Sequence, residues 1–139
     1  MGARKEKPTM GLIHVTVSLT ASPSSRKKYQ ADFLVDTGAT DSMAPASRLR
    51  GIGIKPVGRT RYELADGTAI EFEFGTAVIE FMGDITAGRV IFGPEDAEPI
   101  LGVTALESTG VTLNPKTHTL RRLPAIPLKK TLSLEPVLG

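Results

Sequence analysis

Phe33-Leu34-Val35-Asp36-Thr37-Gly38-Ala39 sets a carboxylate on a tight Thr-Gly turn directly after an apolar run. Phe33 to Val35 deliver a strand into a core, and the acid stands where that strand must bend. Glycine lets the backbone turn and approach a neighbour closely, while the threonine hydroxyl braces the turn. At average residue usage an Asp-Thr-Gly arises by chance in roughly a few per cent of chains this long. The tripeptide therefore needs company before it speaks to chemistry.

Upstream, Leu12 to Thr20 alternates strictly: Ile13, Val15, Val17 and Leu19 face one way, His14, Thr16, Ser18 and Thr20 the other. Period two over this length predicts a half-buried strand. A polar loop, Ala21 to Lys28 with Pro23, joins it to a second strand over Tyr29 to Val35, so the pair reads as a hairpin. Downstream, Pro45 to Arg50 predicts one short helical turn stopped by Gly51. Gly51-Ile52-Gly53 has neither the Lys-Ser/Thr of a phosphate loop nor dinucleotide spacing, and Pro56 interrupts any helix after it.

Arg59 to Leu64 and Ala69 to Phe74 flank Asp66-Gly67, which predicts a hairpin with a type I′ turn. A further hairpin pairs Thr76 to Phe81 with Thr86 to Phe92 around Met82-Gly83-Asp84. After the acidic loop Gly93 to Glu98 comes Ile100-Leu101-Gly102, a short apolar run ending in glycine. Thr104 and Glu107 have capping-box spacing and predict a helix over Thr104 to Thr109, ended by Gly110. Val111 to Leu113 and Thr117 to Leu123 make a last hairpin around Asn114-Pro115.

The composition agrees with short strands and tight turns. The 139 residues suit one domain, and 14 glycines with 10 prolines fall between short apolar stretches. The absence of cysteine excludes disulfides, thiolate catalysis and zinc–thiolate sites. His14 and His118 stand apart from each other and from clustered acids, so no metal is expected. The net charge of +2 comes with basic clusters at Arg4-Lys5-Lys7, Arg26-Lys27-Lys28, Arg121-Arg122 and Lys129-Lys130. They lack interleaved aromatics and read as solvated loops and tails, with no nucleic-acid partner. No apolar run approaches a membrane span, and the alternation at His14, Thr16 and Ser18 suits a strand better than a secretory helix. No membrane partner and a cytoplasmic location are expected.

Three features stand in order along the chain: Asp36 to Ala39, the Leu64 to Thr68 hairpin tip, and Ile100-Leu101-Gly102 followed by a short helix. In this the chain resembles the retropepsin-like aspartic proteases, especially the small cellular ones, over about residues 10–123. The resemblance implies an all-β protein with one short helix, a single-lobe closed β-barrel assembled as a two-fold homodimer. Residues 1–9 are then a charged N-terminal arm and 124–139 an extended C-terminal tail. It implies no cofactor, and a peptide or protein as substrate.

On the same resemblance Asp36 is the catalytic carboxylate, Thr37 bridges the two active-site loops, and Gly38 lets the substrate backbone approach. Leu64, Ala65, Asp66, Gly67 and Thr68 form a flap over the substrate, with Ala39 and Ile100 beside it. Val35 and Ile70 are further candidates for pocket walls. The chain departs from the retroviral pattern at the flap, where only Gly67 remains of a glycine-rich tip. It departs also at Thr40, where retroviral enzymes usually carry Asp. A second reading keeps the fold and loses the chemistry: a catalytically silent, dimeric peptide-binding or scaffold domain.

Ala39 lacks the hydroxyl that pepsin-like relatives often place beside the carboxylate. Ala39→Ser is expected to move the acid limb of the pH–rate profile to lower pH. A profile that stays in place in the serine variant would refute this role for position 39.

Overall fold

A computed structural model describes residues 12–128; the charged arm 1–9 and the part of the tail beyond residue 128 lie outside the described residues. Among the described residues, nine strands and two short helices follow one another. They are β1 (His14–Thr20), β2 (Tyr29–Asp36), β3 (Ser42–Pro45), α1 (Ala46–Gly51), β4 (Gly58–Glu63) and β5 (Ala69–Phe81). After these come β6 (Asp84–Gly93), β7 (Ile100–Gly102), α2 (Val103–Ser108), β8 (Val111–Asn114) and β9 (Thr119–Arg122). The fold is thus mostly β, and the helical turn read over Pro45 to Arg50 stands as a second short helix, α1, beside the one helix expected.

Seven strands form a sheet in the order β1-β2-β7-β3-β6-β5-β4, and β1 pairs with β5 as well. Six of the strands therefore link into a ring of pairings, with β4 hanging on β5 outside it. β8 and β9 form a separate two-stranded sheet. The alternation in β1 is realised as read: Val17 and Leu19 are fully buried, and Ile13 and Val15 pack against the core. Phe33, Leu49, Ile79, Val90, Leu101 and Leu106 complete its fully buried centre. Full burial of such a side chain stabilises the fold by about 1.5–3 kcal/mol.

The expected break between Phe74 and Thr76 does not occur, because β5 runs unbroken through Gly75 for 13 residues. A side chain at Gly75 would lie 2.7 Å from Ile54 Cγ2 and 2.8 Å from the Lys55 carbonyl. Glycine is there to let another segment press on the strand, not to turn it. The length of β5 lets its first half carry β4 while Val78 to Glu80 pair with β1.

Helix α1 begins after Pro45, which supplies no side-chain cap. Glu95, far along the chain, takes that part: its carboxylate accepts the Ser47 N–H at 2.8 Å and the Ser47 hydroxyl as well. These hydrogen bonds hold the Glu95 carboxyl below its ordinary pKa.

The two hairpin turns exchange the roles read from sequence. At the β4–β5 tip only Gly67 takes a positive φ (89°), so Asp66-Gly67 is not a type I′ pair. The Gly67 N–H donates to the Leu64 carbonyl at 2.9 Å and the Leu64 N–H to the Thr68 carbonyl at 2.7 Å. This is a three-residue loop closed by a left-handed glycine bulge. The Asp66 carboxylate accepts the Thr68 N–H at 2.9 Å, and hydrogen bonding from Thr68 lowers its pKa.

The two-residue turn lies instead between β5 and β6, where Met82 (φ 53°) and Gly83 (φ 76°) are both left-handed and Phe81 faces Asp84. A methionine in this conformation is strained in a way that asparagine is not. Met82→Asn is expected to raise stability by roughly 0.5–1 kcal/mol in urea unfolding. A drop in the midpoint would show that the Met82 side chain contributes more than its backbone costs.

Candidate active site

Asp36 closes β2, and its position is set by the parallel pairing of β2 with β7. Leu34 faces Ile100, Val35 faces Leu101 and Asp36 faces Gly102. The two apolar runs singled out in the sequence thus lie side by side in the middle of the sheet. Beyond the pairing the chain turns sharply, with the Ala39 N–H donating to the Asp36 carbonyl at 3.1 Å. The Gly38 N–H donates to Asp36 Oδ1 at 2.9 Å, so the carboxylate ties down its own turn. A Cβ at Gly38 would lie 3.3 Å from that same oxygen, which leaves little room for any other residue.

The loop after the turn is held by the first residues of α2. The Val103 N–H donates to the Ala39 carbonyl at 2.8 Å and the Thr104 N–H to the Thr40 carbonyl at 3.2 Å. The Gly102 N–H, buried, donates to Ser42 Oγ at 3.0 Å. Gly102 lies so close beneath the loop that a Cβ would meet the Asp41 carbonyl carbon at 2.6 Å and the Thr40 oxygen at 2.8 Å. The expected capping box is absent: Gly102 is the N-cap, no side chain caps α2, and Thr104 and Glu107 are exposed. The Thr40 carbonyl already satisfies the Thr104 N–H that such a box would serve, and the Ala39 carbonyl satisfies the Val103 N–H before it.

A cleft of about 630 Å³ opens over this floor. Asp36, Gly38, Ala39 and Ile100 line its base, and Leu64 and Ala65 reach it from the β4–β5 hairpin. Six of the ten residues singled out in the sequence therefore meet around one space. Asp66, Gly67 and Thr68 are not among the lining residues; they sit at the exposed tip. Thr37 is exposed and turns to a separate groove of about 350 Å³, walled by Val103, Leu106, Val111 and Leu113. Val35 belongs to the buried core, and Ile70, 38% exposed, does not line the cleft.

Sequence reading missed Asp41, Tyr62 and Phe72, which also line the cleft. The Tyr62 hydroxyl donates to Asp41 Oδ2 at 2.6 Å, and the Tyr62 and Phe72 rings stand 6.3 Å apart, tilted. Burial, then the bond to Asp41, raise the Tyr62 pKa; Arg89 nearby opposes them. Alternation gave a faint signal, since Thr60 and Tyr62 are the half-buried positions between exposed Arg59, Arg61 and Glu63.

No protein-family model matches the sequence, and no match emerges among curated proteins. Similarity is found among solved structures. The EIAV protease complexed with the inhibitor HBY-793 superimposes with a TM-score of 0.56 at 20% identity, over 74% of this chain and 92% of that one. The simian foamy virus (mac) protease matches with a TM-score of 0.48 at 14% identity, over 68% and 91% of the two chains. The retroviral protease-like domain of Ddi1 from Leishmania major matches with a TM-score of 0.48 at 18% identity, over 81% and 90%. The fold is retropepsin-like.

Ser42→Ala would leave the buried Gly102 N–H without its acceptor. A loss of about 1–3 kcal/mol in unfolding free energy is expected. An unchanged denaturation curve would mean that the loop after Asp36 does not depend on this bond.

Proposed function

We propose that the chain is an aspartic endopeptidase whose active site forms when two copies bring their Asp36 carboxylates together on a two-fold axis. The observation that carries the reading is Asp36 itself. It sits on a self-bonded turn at the base of a cleft, under a hairpin, in a retropepsin-like fold.

The chemistry needs two carboxylates sharing one proton and a water. The ionised one takes a proton from the water, which attacks the scissile carbonyl; the protonated one donates to the carbonyl oxygen. Proton return to the amine nitrogen then lets the tetrahedral intermediate break at the C–N bond. Among the described residues, no second carboxylate occupies a matching turn, so the partner must be another Asp36. A two-fold axis supplies it with an identical surface from each copy.

Thr37 fits the bridging role because it is exposed next to Asp36. The groove beside it is walled by Val103, Leu106, Val111 and Leu113 with Glu107 and Thr112 among them, a mixed surface that a second copy could cover. The ring of strand pairings is read as a closed barrel, stiff enough to hold the loop in register. The β4–β5 hairpin would fold over an extended peptide and pair with it as an added strand. Ala65 and Leu64 then contact the substrate from above, and Ile100 and Ala39 from below. Asp66, Gly67 and Thr68 shape the tip without lining the cleft.

Asp36→Asn is expected to abolish cleavage of a peptide library. Adding excess Asp36→Asn chain to the wild type should also lower its activity, because mixed dimers carry one carboxylate. Peptides that bind but are never cut from acid to neutral pH would assign the fold to binding instead. Cleavage that is indifferent to the mixed chains would overturn the two-fold site.

A further inference from the structure

Tyr62 and Asp41 reach the cleft from opposite sides. Tyr62 stands on β4 two residues before the hairpin tip begins, and Asp41 lies on the loop that follows Asp36. Their hydroxyl–carboxylate bond is short, 2.6 Å, and partly buried. Among the described residues no other hydrogen bond joins hairpin residues 59–72 to loop residues 36–43. The acceptor is fixed, since the Asp41 backbone rests on Gly102 and its neighbour Ser42 bonds to the Gly102 N–H. Arg89 stands near the donor; its guanidinium lies 3.9 Å over the Phe74 ring and donates to Thr60 Oγ1, two residues before Tyr62 on β4, at 2.8 Å.

We propose that Tyr62 is a positioning residue that latches the β4–β5 hairpin onto the loop carrying Asp36, with Asp41 as the catch. The inference deepens the peptidase reading and rests on that reading for its effect on catalysis. Admitting an extended peptide requires the hairpin to lift, which separates the hydroxyl from Asp41; closing restores the bond. The latch therefore sets the balance of open and closed hairpin, and through it peptide affinity. It touches no reacting atom, so its loss weighs on KM more than on kcat. The proton stays on the hydroxyl at neutral pH, because burial and the neighbouring carboxylate both disfavour phenolate.

The test uses the full chain with Tyr62→Phe, Asp41→Ala and the double variant. Hydrogen exchange is followed across residues 58–74, and steady-state cleavage of a library-derived peptide is measured alongside. Exchange in the hairpin is expected to rise about threefold in each single variant and no further in the double, while β1 and β2 exchange as in the wild type. KM should rise about three- to tenfold with kcat within about twofold. Unchanged hairpin exchange in both single variants, or effects that add in the double, overturns the latch. Faster exchange everywhere overturns it too, since Tyr62 would then be a general stabiliser. If the wild type cuts no peptide, exchange still decides the latch and the failure falls on the proposed activity alone.

Discussion

Three backbone N–H groups at the start of a short helix have no partner inside it, and much of this molecule is arranged around where they go. Gly102, Val103 and Thr104 give their protons to Ser42 Oγ, the Ala39 carbonyl and the Thr40 carbonyl. A buried donor without an acceptor costs about 1–3 kcal/mol, so the loop after Asp36 and helix α2 hold one another in place. That exchange requires the loop to lie flat on β7, which only glycine at 102 allows. It also requires β2 and β7 to run parallel and in register, so that Asp36 meets Gly102. The position of the carboxylate thus follows from hydrogen bonds and close backbone contact rather than from side chains packed around it.

The rest of the sheet builds outward from that centre. β5 is long because it has three neighbours to serve: β6 along most of its length, β1 near its end, and β4 near its start. Its first half, with β4, projects past the ring of strands and so overhangs the floor made by β2 and β7. This explains why one hairpin can be both part of the sheet and the wall of the cleft. Its exposed face is tied by Arg59 to Glu71 and by Arg50 to Glu73, surface pairs of small energetic weight. Its inner face is held to the site loop by Tyr62 and Asp41.

What the sequence disclosed follows the range of the interactions. Strand alternation in β1, the β1–β2 hairpin and the acid on its Thr-Gly turn are local patterns that the structure bears out, and the Ile-Leu-Gly run forms strand β7. The capping box and Gly75 mislead because a distant segment supplies what a local rule assumes comes from nearby; the β4–β5 turn misleads for a local reason. Thr104 and Glu107 have the spacing of a cap, but the helix already starts at Val103, and the Thr104 N–H that Glu107 would reach back to is taken by Thr40. Gly75 looks like a turn residue and is instead the place where Ile54 and Lys55 press on β5. Asp66-Gly67 has the composition of a type I′ turn, yet Asp66 bonds to the Thr68 N–H and only Gly67 goes left-handed. Tyr62 carried only the faint signal of alternation, because its meaning depends on Asp41, 21 positions away.

The floor and the roof of the cleft are held by interactions of different kinds, and the difference bears on assembly. On the proposed reading, a dyad built from two copies tolerates little error, because each carboxylate would have to meet its twin within sharing distance of one proton. Backbone bonds and a glycine contact suit that demand: no rotamer change can relax them, and their geometry repeats identically in each copy. The roof would have the opposite task on that reading, since an extended peptide would pass beneath it. A hairpin outside the ring, joined to the loop by one side-chain hydrogen bond, can lift without disturbing the floor. On that reading, rigidity is concentrated where two chains would have to agree, and compliance where each chain would act alone. On the proposed reading, the monomer has every part of the site in place except the second carboxylate, so activity should be limited by pairing rather than by folding.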